Sequence, residues 1–329
     1  MNISTSTRLF AVLGHPIAHS LSPRMQNAAI QEMGLDAVYL SFDVRPERLM
    51  NTLKLMAEIG FSGVNLTVPL KEVAFRGLKN LDPNAKILGS LNTVKFLGRE
   101  MICAGKGGPA APRTGISSAK SSVAAERDGH RITDSLLEMK GYSTDGPGFL
   151  AALKNKFKRS PKGLAVFLLG CGGAGRAVGL TCASAGAKKI ILTDSEPARA
   201  DKLMADLKAL KPAPDVEIVP DDRSARNRAA CAAELIVQAT PIGMHKTDAP
   251  LLDAEAFSKK QMLYDLIYMF PETGLMKIAR KQGALTANGI DMLAFQGALS
   301  LEIWTGEKAP ADLMRKELEK AVYGSVKRS

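Results

Sequence analysis

Cysteine is scarce and nowhere paired. The four cysteines, Cys103, Cys171, Cys182 and Cys231, contain no C-x-x-C, and histidine is equally rare at four residues. That pattern excludes the common zinc-binding spacings and a disulfide framework, so no metal is expected. No apolar run is long enough to span a bilayer. Met1–Arg8 is followed by no long apolar stretch of the signal-peptide kind. The expectation is a cytoplasmic protein without membrane contact. Aromatic residues make up only 5% of the chain, so the core is expected to rest on Ala, Leu, Ile, Val and Met. The net charge is +11, yet no dense Lys/Arg block is interleaved with aromatics. A basic surface suited to small anionic ligands, and no nucleic-acid partner, is the reading.

What is present is an alternation of strand and helix patterns. The chain has 329 residues, enough for two domains. Leu9–Leu13 is an apolar run ending at Gly14, and Ser22-Pro23 reads as an N-cap and first-turn proline. Val38–Val44 reads as a strand and Arg45–Ile59 as a helix stopped by Gly60. Gly63–Val68 and Ser90–Phe96 read as strands. This alternation implies a largely parallel α/β sheet. From Gly98 to Gly141 the rhythm breaks into a Gly-, Pro- and Ser-rich stretch that reads as an insertion. A second α/β unit starts at Leu164–Leu169, followed by strands at Ile190–Thr193, Glu234–Thr240 and Met262–Tyr268. Helices near Gly274–Gln282 and Met292–Thr305 close the chain.

Gly170-Cys171-Gly172-Gly173-Ala174-Gly175 fits G-x-G-x-x-G, directly after a buried strand and at the start of a helix. Glycines there permit a tight turn and the close approach of a pyrophosphate to free N–H groups. A plain glycine turn is the alternative, but both flanks suit the dinucleotide reading. Arg176 is a candidate cation beside the phosphates. Asp194 ends the next strand, where a carboxylate accepts from ribose hydroxyls and repels a 2′-phosphate. The local chemistry therefore favours NAD over NADP. Capping of the following helix is the plainer reading of Asp194.

The N-terminal half carries polar clusters at strand ends. They are Ser20-Leu21-Ser22, Asn65 through Glu72, Leu91-Asn92-Thr93 and Ser143-Thr144-Asp145-Gly146. Hydroxyls, amides, one Lys and one Asp converging there suit a polyhydroxylated carboxylic acid. Singly, each has an ordinary structural explanation. Together and in order, they resemble the shikimate dehydrogenase family. Gly14 through Pro23 resembles its opening motif, Asn65–Lys71 its N-V-T-x-P-x-K, and Ser143–Gly146 its N-T-D-G. The Gly170–Ala174 loop, Ala239–Met244, Tyr264–Tyr268 and Gly289–Gln296 follow in the same order.

The resemblance implies an N-terminal α/β substrate domain, residues 1–144 with an insertion at 98–141. A Rossmann-type dinucleotide-binding domain follows at 145–290, and the final helices, 291–329, return to the substrate domain. It implies reversible hydride transfer between 3-dehydroshikimate and shikimate. Lys71 is then the general acid/base with Asp145 beside it. Ser20 and Ser22 would bind the carboxylate, Asn65, Thr67, Asn92 and Gln296 the ring hydroxyls, and Tyr268 would be a further contact. Gly170, Cys171, Gly172, Gly173 and Ala174 would bind the pyrophosphate, Asp194 the ribose, and Leu266 and Gly289 the nicotinamide side. Alcohol oxidation needs a base for the proton and an acceptor for the hydride, and an amine in a cleft can cycle between charged and neutral forms.

Three departures from the family pattern stand out. Ser143 replaces the usual Asn, Tyr268-Met269-Phe270-Pro271 differs from the commoner Y-N-P turn, and Asp194-Ser195 replaces the Asn-Arg pair of NADP-preferring members. They keep open a NAD-preferring paralogue acting on quinate, shikimate or aminoshikimate, and a ligand sensor without turnover. A monomer or a homodimer is expected.

Overall fold

The computed structural model describes residues 3–97 and 138–324. Two six-stranded sheets divide this chain. The first half runs β1 (Arg8–Gly14), α1 (Ser22–Glu32), β2 (Ala37–Asp43), α2 (Leu49–Ile59), β3 (Phe61–Leu66) and α3 (Leu70–Gly77). It continues with the short β4 (Asn80–Leu81), α4 (Pro83–Leu88), β5 (Thr93–Leu97) and β6 (Glu138–Tyr142). In α2, Leu49, Leu53, Met56 and Ala57 fall on one buried stripe, the spacing that seats a helix on a sheet. The Asp82 side chain accepts from the N–H groups of Asn84 and Ala85, which starts α4.

The second half opens with α5 (Asp145–Phe157), then β7 (Ala165–Leu169), α6 (Gly173–Ser184), β8 (Lys189–Thr193), α7 (Pro197–Lys208), β9 (Asp215–Ile218) and α8 (Arg223–Cys231). It continues with β10 (Leu235–Gln238), β11 (Met262–Asp265), α9 (Gly274–Lys281) and β12 (Leu285–Asn288). Two helices follow, α10 (Ile290–Thr305) and α11 (Ala311–Tyr323). The second sheet is ordered β12-β11-β10-β7-β8-β9 with every neighbouring pair parallel. That is the doubly wound dinucleotide-binding order, and its switch point lies between β7 and β10. The unbroken apolar run of β7 is buried throughout, as a central parallel strand covered on both faces must be.

The first sheet is mixed rather than largely parallel. Its order is β2-β1-β3-β5-β6-β4. Strand β1 is parallel to β2 and β3, while β5 runs antiparallel to both β3 and β6. Strand–helix alternation does not reveal this, because β5 runs antiparallel to both of its neighbours. Residues 138–141, assigned to the insertion on sequence, belong to β6. Segment 98–137 lies outside the described residues. Ser22 is the first residue of α1 rather than its cap. Leu21 takes the cap position, and the Ser20 hydroxyl accepts the Ser22 N–H at 3.3 Å.

The cores are largely aliphatic, but several of the scarce aromatics are buried where helices meet the sheets. Trp304 of α10 stacks on Phe10 of β1 at 4.9 Å and donates to the Val94 carbonyl at 3.0 Å. Phe149 of α5 meets Tyr264 of β11 edge-on at 5.2 Å. Such pairs add about 0.5–1.5 kcal/mol beyond the area they bury. Among the described residues, no helix is long and apolar enough to cross a membrane.

Leu97 and Glu138 are directly paired across β5 and β6. A short turn can therefore join them. Replacing residues 98–137 by a four-residue Asn-Gly turn should leave a cooperatively unfolding protein. Shortening a loop about tenfold lowers its closure cost by about 2 kcal/mol. A urea titration checks this, and loss of the cooperative transition is the contrary result.

Candidate active site

The polar clusters of the first half converge at the carboxyl ends of β1 and β3, where open α/β sheets bind ligands. Lys71, in the first turn of α3, donates from Nζ to Asp145 Oδ2 at 2.6 Å. Asp145 is the first residue of α5, where a carboxylate is also favoured by the helix dipole. The pair is neither exposed nor sealed, with side-chain exposures of 29% and 15%. A partner in solution can therefore reach Nζ while Asp145 keeps it oriented.

Asn92 joins this pair to the rest. Its Nδ2 lies 3.1 Å from Asp145 Oδ1, 3.0 Å from Gln296 Oε1 and 2.8 Å from Thr144 Oγ1. Its Oδ1 accepts the Thr144 N–H at 2.8 Å, which fixes the amide the right way round. Gln296 reaches this point because α5 and α10 cross closely at Gly148. A Cβ there would stand 2.8 Å from the Gln296 backbone nitrogen.

Asn65 sits one layer deeper. It is buried, and its amide donates to the Asn92 carbonyl (3.0 Å), Thr93 Oγ1 (3.0 Å) and Ser300 Oγ (2.9 Å). Its Oδ1 accepts the Tyr39 hydroxyl at 2.7 Å. Tyr39 is hydrogen-bonded in turn to Ser22, and burial pushes its phenol well above the usual range. Ser20 precedes Ser22 in the loop after β1. Thr67 follows β3, with its N–H on the Leu13 carbonyl at 2.9 Å. Tyr268 arrives from the second half and packs, with Ile17 and Leu21, against the cluster built around Phe10 and Trp304. One polar network thus connects Ser22 to Lys71.

Thr93 and Thr144, quoted within the polar clusters but given no role, belong to this network, and so do Tyr39 and Ser300, which were not singled out on sequence. Ser300 did leave a trace. It stands four residues after Gln296 on a mainly apolar helix, so it repeats the same face one turn on. Tyr39 left none, since an aromatic in a strand is ordinary.

The glycine loop lies at the switch point. Gly170 has φ +93°, and a Cβ on Gly175 would sit 1.9 Å from the Gly170 carbonyl, so strand and helix meet with no side chain between them. Gly172 and Gly173 face open space, as a pyrophosphate requires, and with Ala174 they form the start of α6, whose first N–H groups lack helical acceptors. Cys171 points inward, and burial, with the Asp194 charge behind it, pushes its thiol up to about 12. Asp194 accepts the Cys171 N–H at 2.6 Å and the Glu196 N–H at 2.8 Å. Its carboxylate therefore props the loop at the edge of the crevice. Leu266 follows β11, and Gly289 lies against its carbonyl. Arg176 does not face the loop's open side. Asp206 and the Leu88 carbonyl hold its guanidinium, which ties α6 to α4.

Two family models match the chain. The shikimate dehydrogenase substrate binding domain covers residues 12–94, and the shikimate 5'-dehydrogenase C-terminal domain covers 289–319. A shikimate dehydrogenase (NADP(+)) of Methanopyrus kandleri is 35% identical over 96% of this chain and 96% of its own length. This chain belongs to the shikimate dehydrogenase family. The same name and 35% identity apply to a Moorella thermoacetica relative, over 99% of this chain and 97% of its own. Among solved structures, shikimate 5-dehydrogenase from Listeria monocytogenes, in complex with shikimate and NAD, has a TM-score of 0.79 and 27% identity. The match covers 97% of this chain and 98% of that one. The Thermus thermophilus enzyme, with NADP(H) and shikimate, has a TM-score of 0.73 and 32% identity, covering 95% and 99%. The architecture is that of the shikimate dehydrogenases, an N-terminal substrate domain followed by a Rossmann-like cofactor domain.

One group in this shikimate dehydrogenase family member is buried at a cost. Asp265, at the end of β11, is 1% exposed, and burial raises its carboxyl to about 6 against the hydrogen bonds of Thr273 and Ile267. With the folded value above the unfolded one, the cost is absent below about pH 4 and complete above about pH 6. Asp265→Asn should therefore gain stability relative to the parent as pH rises from 4 to 7, on the order of 2–3 kcal/mol. Urea midpoints at the two pH values test it, and a pH-independent difference is the contrary result.

Proposed function

We propose that this chain is an NAD(P)-dependent dehydrogenase interconverting 3-dehydroshikimate and shikimate. The observation that carries the proposal is Lys71 Nζ held 2.6 Å from Asp145, inside a ring of Asn92 and Gln296 amides. The curated relatives at 35% identity bear the name of that activity. Residues 1–144 with 291–329 form the substrate unit, and 145–290 the cofactor unit, in this reading. The three described cysteines are free, which suits work in the cytoplasm.

The residues take these parts. Ser20 and Ser22 bind the substrate carboxylate, with Tyr268 as a further contact. Thr67, Asn92 and Gln296 hold ring hydroxyls. Asn65 contributes chiefly through its neighbours, since its amide already has protein acceptors. In the oxidation direction Lys71 takes the proton of the reacting hydroxyl, and in reduction it returns that proton. Asp145 anchors Nζ so that its remaining positions face the substrate. A bound nicotinamide dinucleotide supplies the hydride acceptor or donor. Gly170–Ala174, at the bare start of α6, would hold its pyrophosphate, Asp194 the ribose, and Leu266 and Gly289 the nicotinamide side.

Lys71→Ala should lower kcat at least about a hundredfold while dinucleotide binding stays near that of the parent, the usual contribution of a general acid/base. Steady-state kinetics with fluorescence titration of the dinucleotide checks it. Near-parental turnover removes Lys71 from this role.

The reading prefers NAD. In this reading the Asp194 carboxylate, just past the end of β8, repels a 2′-phosphate, and the cations that flank β8 in sequence are engaged elsewhere. Lys188 pairs with Glu234, Lys189 with Glu217, and Arg199 with Glu196. Expected kcat/KM is higher with NAD by about tenfold or more, a difference of about 1.4 kcal/mol. Asp194→Asn with Ser195→Arg should narrow or reverse it, because repulsion is lost and a phosphate-binding fork is gained. Assays with shikimate and with quinate, each with NAD and NADP, decide both cofactor and substrate. Equal efficiency with NADP in the parent defeats the NAD preference alone.

A further inference from the structure

The loop after β11 departs from the family's turn. It runs Tyr268-Met269-Phe270-Pro271 in place of the commoner Y-N-P, and it carries Tyr268 toward the substrate unit. If Tyr268 is to stay in place, something must hold this loop. Two side chains do. Asn288, the last residue of β12, donates from Nδ2 to the Phe270 carbonyl at 3.0 Å and the Pro271 carbonyl at 3.1 Å. Tyr323, the last residue of α11, donates its hydroxyl to the Tyr268 carbonyl at 3.0 Å, with the Phe270 carbonyl at 3.3 Å. The two are themselves joined, since Asn288 Nδ2 stands 2.8 Å from the Tyr323 oxygen.

We propose that Tyr323 is a positioning residue for substrate binding, acting through the backbone of Tyr268. The inference rests on the reading of Tyr268 as a substrate contact. The anchor comes from the substrate side of the molecule. Helix α11 buries Met314 and Leu318 in the cluster that also holds Met25 and Ile30 of α1. Its last residue, Tyr323, reaches the loop after β11 on the cofactor side. The hydroxyl therefore fixes a residue contributed by one unit at a distance set by the other. Burial, offset in part by Asn288, pushes the Tyr323 phenol up to about 12, so it remains a donor at ordinary pH. The same Asn288 accepts the Ile290 N–H on Oδ1 at 3.2 Å, which ties the clamp to the start of the helix carrying Gln296.

The test is a kinetic double-mutant cycle with shikimate in the full chain, using Tyr268→Phe, Tyr323→Phe and the double variant. Tyr323→Phe keeps the ring and removes the donor. It should raise KM for shikimate about fivefold while kcat and the dinucleotide KM stay within about twofold, as loss of one hydrogen bond that acts only on positioning. Tyr268→Phe should raise the same KM, and the double variant should be no worse than Tyr268→Phe alone. Additive effects overturn the inference, because Tyr323 then acts by another route. An unchanged KM in Tyr323→Phe beside a raised KM in Tyr268→Phe overturns it while leaving Tyr268 as a contact. An unchanged KM in Tyr268→Phe removes both. Thermal midpoints of all variants accompany the kinetics, and a KM rise that tracks lost stability rather than the loss of this hydroxyl counts against the inference.

Discussion

Helices α5 and α10 pack antiparallel, and the site depends on how closely they do so. At one end Gly148 lies against the Gln296 backbone. At the other, Asp291, fully buried at the start of α10, accepts from Asn155 Nδ2 at 3.0 Å and faces Lys156 Nζ at 3.4 Å. A buried carboxylate is costly unless it is paired and hydrogen-bonded, so this contact resists sliding of one helix along the other. Helix α5 packs on the second sheet through Phe149 and Phe157. Helix α10 docks on the first through Trp304. The crossing thus sets the spacing of the two sheets. It also brings Asp145 and Gln296 within reach of a single amide, that of Asn92.

The site that results is organised by hydrogen-bond direction as much as by charge. Asn92 can turn only one way, because Thr144 donates to its oxygen. Asn65 can turn only one way, because the Asn92 carbonyl can only accept and so must face its nitrogen. Each buried amide therefore presents its donors to a known set of acceptors, and the network leaves Lys71 Nζ facing the cleft. In a low-dielectric interior, a fully satisfied network of this kind specifies one arrangement, whereas an unpaired member would be expensive. The cofactor side follows a different rule. There the backbone itself is the binding surface, so Gly172 and Gly173 have open space beside them and Asp194 supports the loop from behind.

Chain order explains what was legible. The glycine loop could be read from Gly170 to Gly175 because its geometry arises among adjacent residues, where a strand ends and a helix starts. Asp194 was readable for the same reason, since a strand end followed by Pro197 marks its own place. The clusters at Asn65–Lys71 and Ser143–Asp145 were visible through their resemblance to a family pattern. The direction of β5 was not, because a short apolar run has the same appearance whichever way its neighbour runs.

The sequence by itself determined the local devices: the dinucleotide turn, the helix starts, and which polar residues sit at strand ends. These rest on short-range sterics and on the missing side chains of glycine. Tertiary structure alone decided their partners. Asn65 and Ser300 are 235 positions apart, yet they share a hydrogen bond. Arg176, read as a phosphate ligand, is instead claimed by Asp206 and the Leu88 carbonyl. Tyr323 meets the Tyr268 carbonyl only because α11 packs on α1. A donor's choice among acceptors depends on which surfaces are brought together and closed to water, and no pattern along the chain encodes that distance.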